Sequence, residues 1–240
     1  MKSLVTVTDR EEAETVAAAG PDILDIKNPA EGSLGAPHPA TVRAIMEVVP
    51  DDVETSVAVG DVPALPGTVA LAVQGADRLS PDYIKIGLRW PETVEDAVEV
   101  VAAAVEAAGS ADVVVAGFAD AERVSAVPPG DVPTVARRAG ADAAMLDTAV
   151  KDGRNLRDVR SREELSGFVD EARDAGMEAA LAGSLGIDDV DAVAETGADI
   201  LGVRGAVCRE GRRSGRIDEE AVAAFVSRCE AVTDRTPQGI

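Results

Sequence analysis

Short apolar runs of strand length alternate along this chain with helix-length segments rich in Ala, Val and Glu, and that rhythm restricts the fold more than any other feature. Strands are expected over residues 4–7, 23–26, 54–59, 83–86, 112–116, 143–146, 178–182 and 200–203. Helical patterns follow them, for example over 11–19, 42–49, 91–108, 162–175 and 188–196. Gly20, Gly109, Gly140, Gly176 and Gly197 stand where helices should stop. Strand, helix, Ala-Gly, short link, strand is the signature of parallel strands joined by crossover helices. Eight such units within 240 residues point to a closed eight-stranded parallel β/α (TIM) barrel spanning residues 1–232, with 233–240 as a C-terminal tail. An open doubly wound sheet is the alternative, but no G-x-G-x-x-G follows the first strand. The fifth helical segment is the least regular, because Pro128-Pro129-Gly130 interrupts it.

Charge and rare residues limit the chemistry. The formal charge is −21, with the acids spread along the chain, so nucleic acid and anionic lipid are poor partners and a small molecule is the expected one. Such a surface suits high internal salt, where screening relieves self-repulsion. The expected outcome is melting in dilute buffer and recovery in molar salt, measured by thermal denaturation. No run of 18 apolar residues is present, so no membrane span is expected. The strand-like start leaves no room for a signal peptide, and a cytoplasmic location is expected. His38 is the only histidine, which removes His-based metal clusters and Ser-His-Asp triads. Cys208 and Cys229 have neither disulfide-framework nor zinc spacing. No metal and no cofactor is expected. The pattern is compatible with a monomer or a homo-oligomer.

Four lysines stand against nineteen arginines: Lys2, Lys27, Lys85 and Lys151. An ammonium can lose its proton and attack a carbonyl, which a guanidinium cannot do, so lysines kept at internal positions are candidates for chemistry. The barrel active site lies at the C-terminal strand ends. Side chains alternate along a strand, so Asp25 and Lys27 share the inward direction while Leu24 and Ile26 face the helices. Tyr83 and Lys85 point inward in the same way. Asp147 closes the sixth strand, and Lys151 follows four residues later. A free lysine has a pKa of ~10.4; partial burial and a neighbouring ammonium, Lys85 facing Lys27, would lower that of Lys27. Asp25 and Asp147 can relay protons. A single Lys–Asp pair reads first as an ion pair, but three lysines at strand ends, in a chain with one other, read as chemistry.

The loops after strands seven and eight, where barrels often bind phosphate, contain Gly183-Ser184 and Arg204-Gly205. Small residues let backbone N–H groups approach an anion, and Arg204 is expected to add charge. After Lys27, residues 28–39 form a Gly-, Pro- and Ser-rich loop over the mouth, in which Ser33 is either a ligand contact or part of a rigid turn. His38, at the start of the next helix, is expected to be a surface or capping residue and not a catalytic one.

Asp25-Ile26-Lys27-Asn28-Pro29, followed by Glu31-Gly32-Ser33-Leu34-Gly35-Ala36, resembles the (5-formylfuran-3-yl)methyl phosphate synthase family of methanofuran biosynthesis. Tyr83-Ile84-Lys85-Ile86-Gly87, Leu146-Asp147-Thr148 with Lys151-Asp152-Gly153, Ala182-Gly183-Ser184-Leu185 and Arg204-Gly205-Ala206-Val207-Cys208 extend the resemblance to the eighth strand. It implies a class I aldolase-like lyase that condenses two glyceraldehyde 3-phosphate molecules into 4-(hydroxymethyl)-2-furancarboxaldehyde phosphate, losing phosphate and water. Lys27 would form the Schiff base and Lys85 accept a proton, with Asp25, Asp147 and Lys151 assisting. Lys151 and Arg154 are the candidates for the second phosphate. An orotidine-phosphate-type decarboxylase would place an Asp three residues after the lysine, where this chain has Ala30. A Schiff-base aldolase on another sugar phosphate and a non-catalytic phosphosugar-binding barrel remain as alternatives.

Overall fold

The computed structural model describes residues 1–233. Eight strands close a barrel in sequence order, and each paired neighbour runs parallel. They are β1 Lys2–Val7, β2 Ile23–Ile26, β3 Glu54–Asp61, β4 Tyr83–Gly87, β5 Asp112–Phe118, β6 Ala143–Asp147, β7 Glu178–Leu181 and β8 Ile200–Val203. The helices are α1 Arg10–Ala18, α2 Pro39–Met46, α3 Pro66–Asp77, α4 Val94–Ala107, α5 Val132–Ala139, α6 Leu156–Val159, α7 Arg162–Asp174, α8 Val190–Ala194 and α9 Glu219–Thr233. Thr233, expected in the tail, is the last residue of α9, and 234–240 lie outside the described residues.

Local chemistry explains several element ends. Asp9 caps α1 by accepting from the Glu12 N–H, and Ser161 and Glu164 form a reciprocal capping box at α7. His38 caps α2 as expected, its ring nitrogen accepting from the Ala40 N–H. Gly140 ends α5 at φ 79°, a left-handed position that glycine enters without a Cβ clash. Gly109 differs from the other expected stops: its φ is not positive, and its N–H instead donates to Asp77 at the end of α3. The proline-rich stretch before α5 becomes a short 3₁₀ turn, Pro129–Asp131, followed directly by the helix.

Alternation along the strands creates two apolar compartments. Leu24, Ile26, Ile84 and Ile86 face outward into the layer shared with the helices. Ile23, Leu4, Val114, Met145 and Ile200 fill the barrel interior. Burial of one such Leu or Ile side chain contributes about 1.5–3 kcal/mol. The filled interior is a packed core and not a pore, and its charged side chains stand on either side of this apolar layer.

Candidate active site

Strand register decides which side chains reach the C-terminal mouth. Thr6 pairs with Asp25, Asp25 with Ser56 and Ala116 with Met145, so inward residues of alternate strands stack in layers. The even strands carry the ionisable groups: Asp25 and Lys85 lie within the barrel, and Lys27 and Asp147 lie at the strand ends. The five residues expected to act together do meet. Lys85 Nζ lies 2.6 Å from Asp25 Oδ1. Lys27 Nζ lies between two carboxylates, 3.9 Å from Asp25 and 4.0 Å from Asp147. Lys151 Nζ donates to Asp147 at 2.8 Å and to Thr148 Oγ1 at 2.9 Å.

The result is an alternating row, Lys85–Asp25–Lys27–Asp147–Lys151, with one more cation than anions. Burial works against charge on Asp25, but Lys85 and Lys27 outweigh it and hold the carboxyl below the usual carboxylate range. Asp147 follows the same logic: burial is overcome by Lys151 and Lys27, and its pKa falls to about 2. Burial instead prevails at Lys85, with Asp25 opposing and Lys27 assisting, and lowers its pKa from the ordinary lysine value. Sequence reasoning expected Lys27 to be depressed by facing Lys85. In the structure Asp25 stands between the two amines, and Lys85 is the more deeply enclosed of them, only 1% exposed.

A cavity of about 370 Å³ opens above this row, within the usual range for small-molecule sites. Lys27, Asp147 and Lys151 line it; Lys85 and Asp25 lie beneath. Its far wall is built from Gly183, Ser184, Gly205 and Ala206. None of their backbone N–H groups donates to an acceptor among the described residues. Gly183 has φ 111°, and a Cβ there would meet the Thr148 backbone nitrogen at 3.0 Å, so glycine is required for the β6 and β7 loops to approach this closely.

Two arginine expectations fail. Arg204 lines the cavity, but its guanidinium is turned into the protein, bonded to both Glu12 carboxylate oxygens and to the carbonyls of Thr6, Gly215 and Arg213. All five N–H donors are thereby engaged, so the side chain pins β8 to α1 and cannot serve a phosphate. Arg154 pairs with Asp152 on the half-exposed loop and does not line the cavity. Ser33 is part of the rigid turn: its buried hydroxyl donates to the Thr148 carbonyl at 2.8 Å, joining the β2 loop to the β6 loop. That loop is closed tightly, since a Cβ on Gly35 would lie 2.1 Å from the Asn28 carbonyl oxygen.

Three residues escaped the sequence reading. Thr6 donates to Asp25 Oδ2 at 2.9 Å and could have been found by alternation along β1. Asp61, at the end of β3, has a buried Oδ1 without a hydrogen-bond partner and sits beneath Gly32 of the mouth loop; burial pushes its carboxyl up. Arg213 enters the cavity from an excursion after β8, where no periodicity marks it. Among the described residues no cluster of His, Cys, Asp or Glu could hold a metal, and no helix is long and apolar enough to cross a membrane. Cys208 and Cys229 are buried and unpaired.

A family model described as 4-HFC-P synthase matches residues 3–226. The chain is 50% identical over 232 residues to "(5-formylfuran-3-yl)methyl phosphate synthase" of Methanocaldococcus jannaschii, covering 95% of this chain and 99% of that protein. It is 51% identical over 215 residues to the protein so named in Methanopyrus kandleri, covering 88% and 91%. Among solved structures, "Crystal Structure of 3-Hexulose-6-Phosphate Synthase" aligns with a TM-score of 0.62 at 18% identity, covering 97% of this chain and 99% of that one. "QR15, an Aldolase" aligns at 0.64 and 14%, covering 98% and 95%. At these identities the structural likeness establishes the barrel fold alone.

Proposed function

Because the chain belongs to the (5-formylfuran-3-yl)methyl phosphate synthase family, we propose that it condenses two molecules of glyceraldehyde 3-phosphate through a Schiff base on Lys27, releasing phosphate and water. The observation that carries this reading is the asymmetry of the charge row. Of the two lysines that contact Asp25, Lys27 lines the cavity and Lys85 does not. A nucleophile must touch its carbonyl, so covalent capture falls to Lys27. Lys85, whose neutral form is favoured by burial, is the proton acceptor, linked to Lys27 through Asp25.

One triose phosphate isomerises to its ketone, and the Lys27 amine adds to the carbonyl. Asp147 and Lys151, 2.8 Å apart at the rim, serve proton transfer to the departing hydroxyl. The iminium withdraws electrons, so the adjacent carbon loses a proton, which is relayed by way of Asp25 to Lys85, and becomes an enamine. The enamine attacks the aldehyde of the second molecule, and eliminations lead to the aromatic furan. The loop N–H groups of Gly183, Ser184, Gly205 and Ala206 are the phosphate cradle of this reading, since unpaired donors on a cavity wall suit an anion.

Borohydride trapping tests it. Incubation with glyceraldehyde 3-phosphate, reduction and peptide mass spectrometry should place the adduct on Lys27, with a furan chromophore accumulating when reductant is omitted. An adduct on another lysine, or none, refutes the Lys27 mechanism. An adduct without furan would favour a Schiff-base aldolase acting on another sugar phosphate.

A further inference from the structure

Two arginines line the cavity, and their donors are used differently. Arg204 is fully bonded within the protein. Arg213 uses only Nη2, which donates to the Gly32 carbonyl at 3.2 Å and reaches the Pro29 carbonyl at 3.5 Å. Its Nε and Nη1 donate to no acceptor among the described residues. No carboxylate there reaches it as an ion pair, although Asp147 and Asp61 are near enough to favour its charge. Burial presses the guanidinium down from its ordinary value, the mark of a cation partly removed from water without a matching anion.

The position of Arg213 is fixed from behind. The excursion after β8 returns through an antiparallel bridge between Cys208 and Ile217, and the Arg213 carbonyl accepts from Arg204 Nε at 3.1 Å. From there the side chain crosses to the loop after β2. Ser33, next to Gly32, bonds the Thr148 carbonyl, so the β2 loop that holds the guanidinium reaches the β6 loop that carries Lys151, and both cations line the cavity. The free N–H groups of Gly183 and Ser184 belong to the loop after β7. The cavity thus offers two kinds of anion donor, backbone N–H groups and the Arg213 guanidinium, and Lys27 lines it too.

We infer that Arg213 is the side-chain anchor of a second phosphate subsite, in the cavity that Lys151 also lines, while the loop N–H groups hold the first phosphate. This deepens the reading given above and rests on its assignment of the cavity to phosphorylated trioses. With Nη2 holding the side chain to the Gly32 and Pro29 carbonyls, Nε and Nη1 remain as separate donors on a cation that no carboxylate pairs, and each can meet a phosphate oxygen. Arg213 replaces Arg154, which the sequence suggested for this task, and its bonds to Gly32 and Pro29 tie the occupied subsite to the loop following Lys27.

The test uses sn-glycerol 3-phosphate, which lacks a carbonyl and so binds without any chemistry at Lys27. Calorimetric titration of the full chain should show two sites. In Arg213→Gln one site should weaken by about tenfold or more while the other stays within about twofold, and Arg213→Lys should be intermediate. Two unchanged sites in Arg213→Gln, equal weakening of both, or a single site in the parent protein would each overturn the assignment. The furan-forming reading fails separately: two sites would titrate, yet no Lys27 adduct would be trapped.

Discussion

The two ends of the barrel both place a lysine among carboxylates, and they shift its proton affinity in opposite directions. At the N-terminal end Lys2 lies 3.0 Å from Glu54 and 3.2 Å from Glu178, with Tyr83 donating to both glutamates. Burial opposes the charge on Lys2, but the hydrogen bonds to Glu54 and Tyr83 and the charge of Glu178 outweigh it and raise its pKa. At the C-terminal end Lys85 has one direct carboxylate partner, is fully enclosed, and is lowered. The difference lies in charge balance and solvent. One partly exposed cation between two anions makes a clasp, whereas three cations sharing two buried anions leave a proton poorly held. Conserving charge should therefore suffice at the lower end and fail at the upper.

The largest expected effect is the direct test of that contrast. Lys27→Arg should reduce furan formation by about a thousandfold or more, because a guanidinium cannot form the imine. Lys2→Arg should leave the rate within about twofold, since the clasp needs only a cation. Steady-state assays of the two variants side by side measure this, and equal losses would erase the distinction between the ends. Next in size is Asp25→Asn, with a loss of about ten- to a hundredfold. Asp25 favours the charged form of Lys85, so removing it should lower the Lys85 pKa further and move the acidic limb of the pH–rate profile to lower pH. A limb that stays in place would show that another group sets it.

The upper end of this contrast was legible in the sequence, and the reasons are local. A period of two along Ile23-Leu24-Asp25-Ile26-Lys27 requires Asp25 and Lys27 to share a face, and the short β2 strand keeps that register. The same rule placed Tyr83 and Lys85 inward, but depth within the barrel is set by register across β3 and β4. Nothing in one strand's pattern therefore showed that Tyr83 joins the lower clasp. Loop side chains were less readable. Arg204 stands one residue beyond β8, where inward and backward directions are equally open, and Glu12 captures it. Arg213 is positioned by a bridge between Cys208 and Ile217, a tertiary contact that leaves no periodic trace.

The upper end should also register in acid stability. The Asp147 pKa of about 2 lies below the unfolded value of about 3.9, so its contribution is present above that unfolded value and disappears as pH falls through about 2. Asp147→Asn should be less stable than the parent by roughly 2–3 kcal/mol at neutral pH. The gap should close between about pH 4 and pH 2, read from urea denaturation at stepped pH. A gap that persists at pH 2 would mean that packing, and not the charge row, dominates the effect.

The smallest effect belongs to the lower clasp and is the most informative about solvent. Lys2→Met removes the cation and leaves Glu54 and Glu178 facing each other, a cost of about 1 kcal/mol for groups this open to water. Because the folded pKa of Lys2 is raised, its contribution is complete below the unfolded lysine value and is lost only as pH rises through the folded one. Neutral pH is therefore the right place to measure it. Molar salt should shrink the Lys2→Met penalty, since screening acts on partly exposed charges, while the Asp147→Asn penalty, enclosed at the other end, should change little. Turnover should be unaffected by Lys2→Met at every salt concentration. If salt instead reduced both penalties equally, burial would not be what separates the two ends, and the lowered proton affinity of Lys85 would have to come from its neighbouring charges alone.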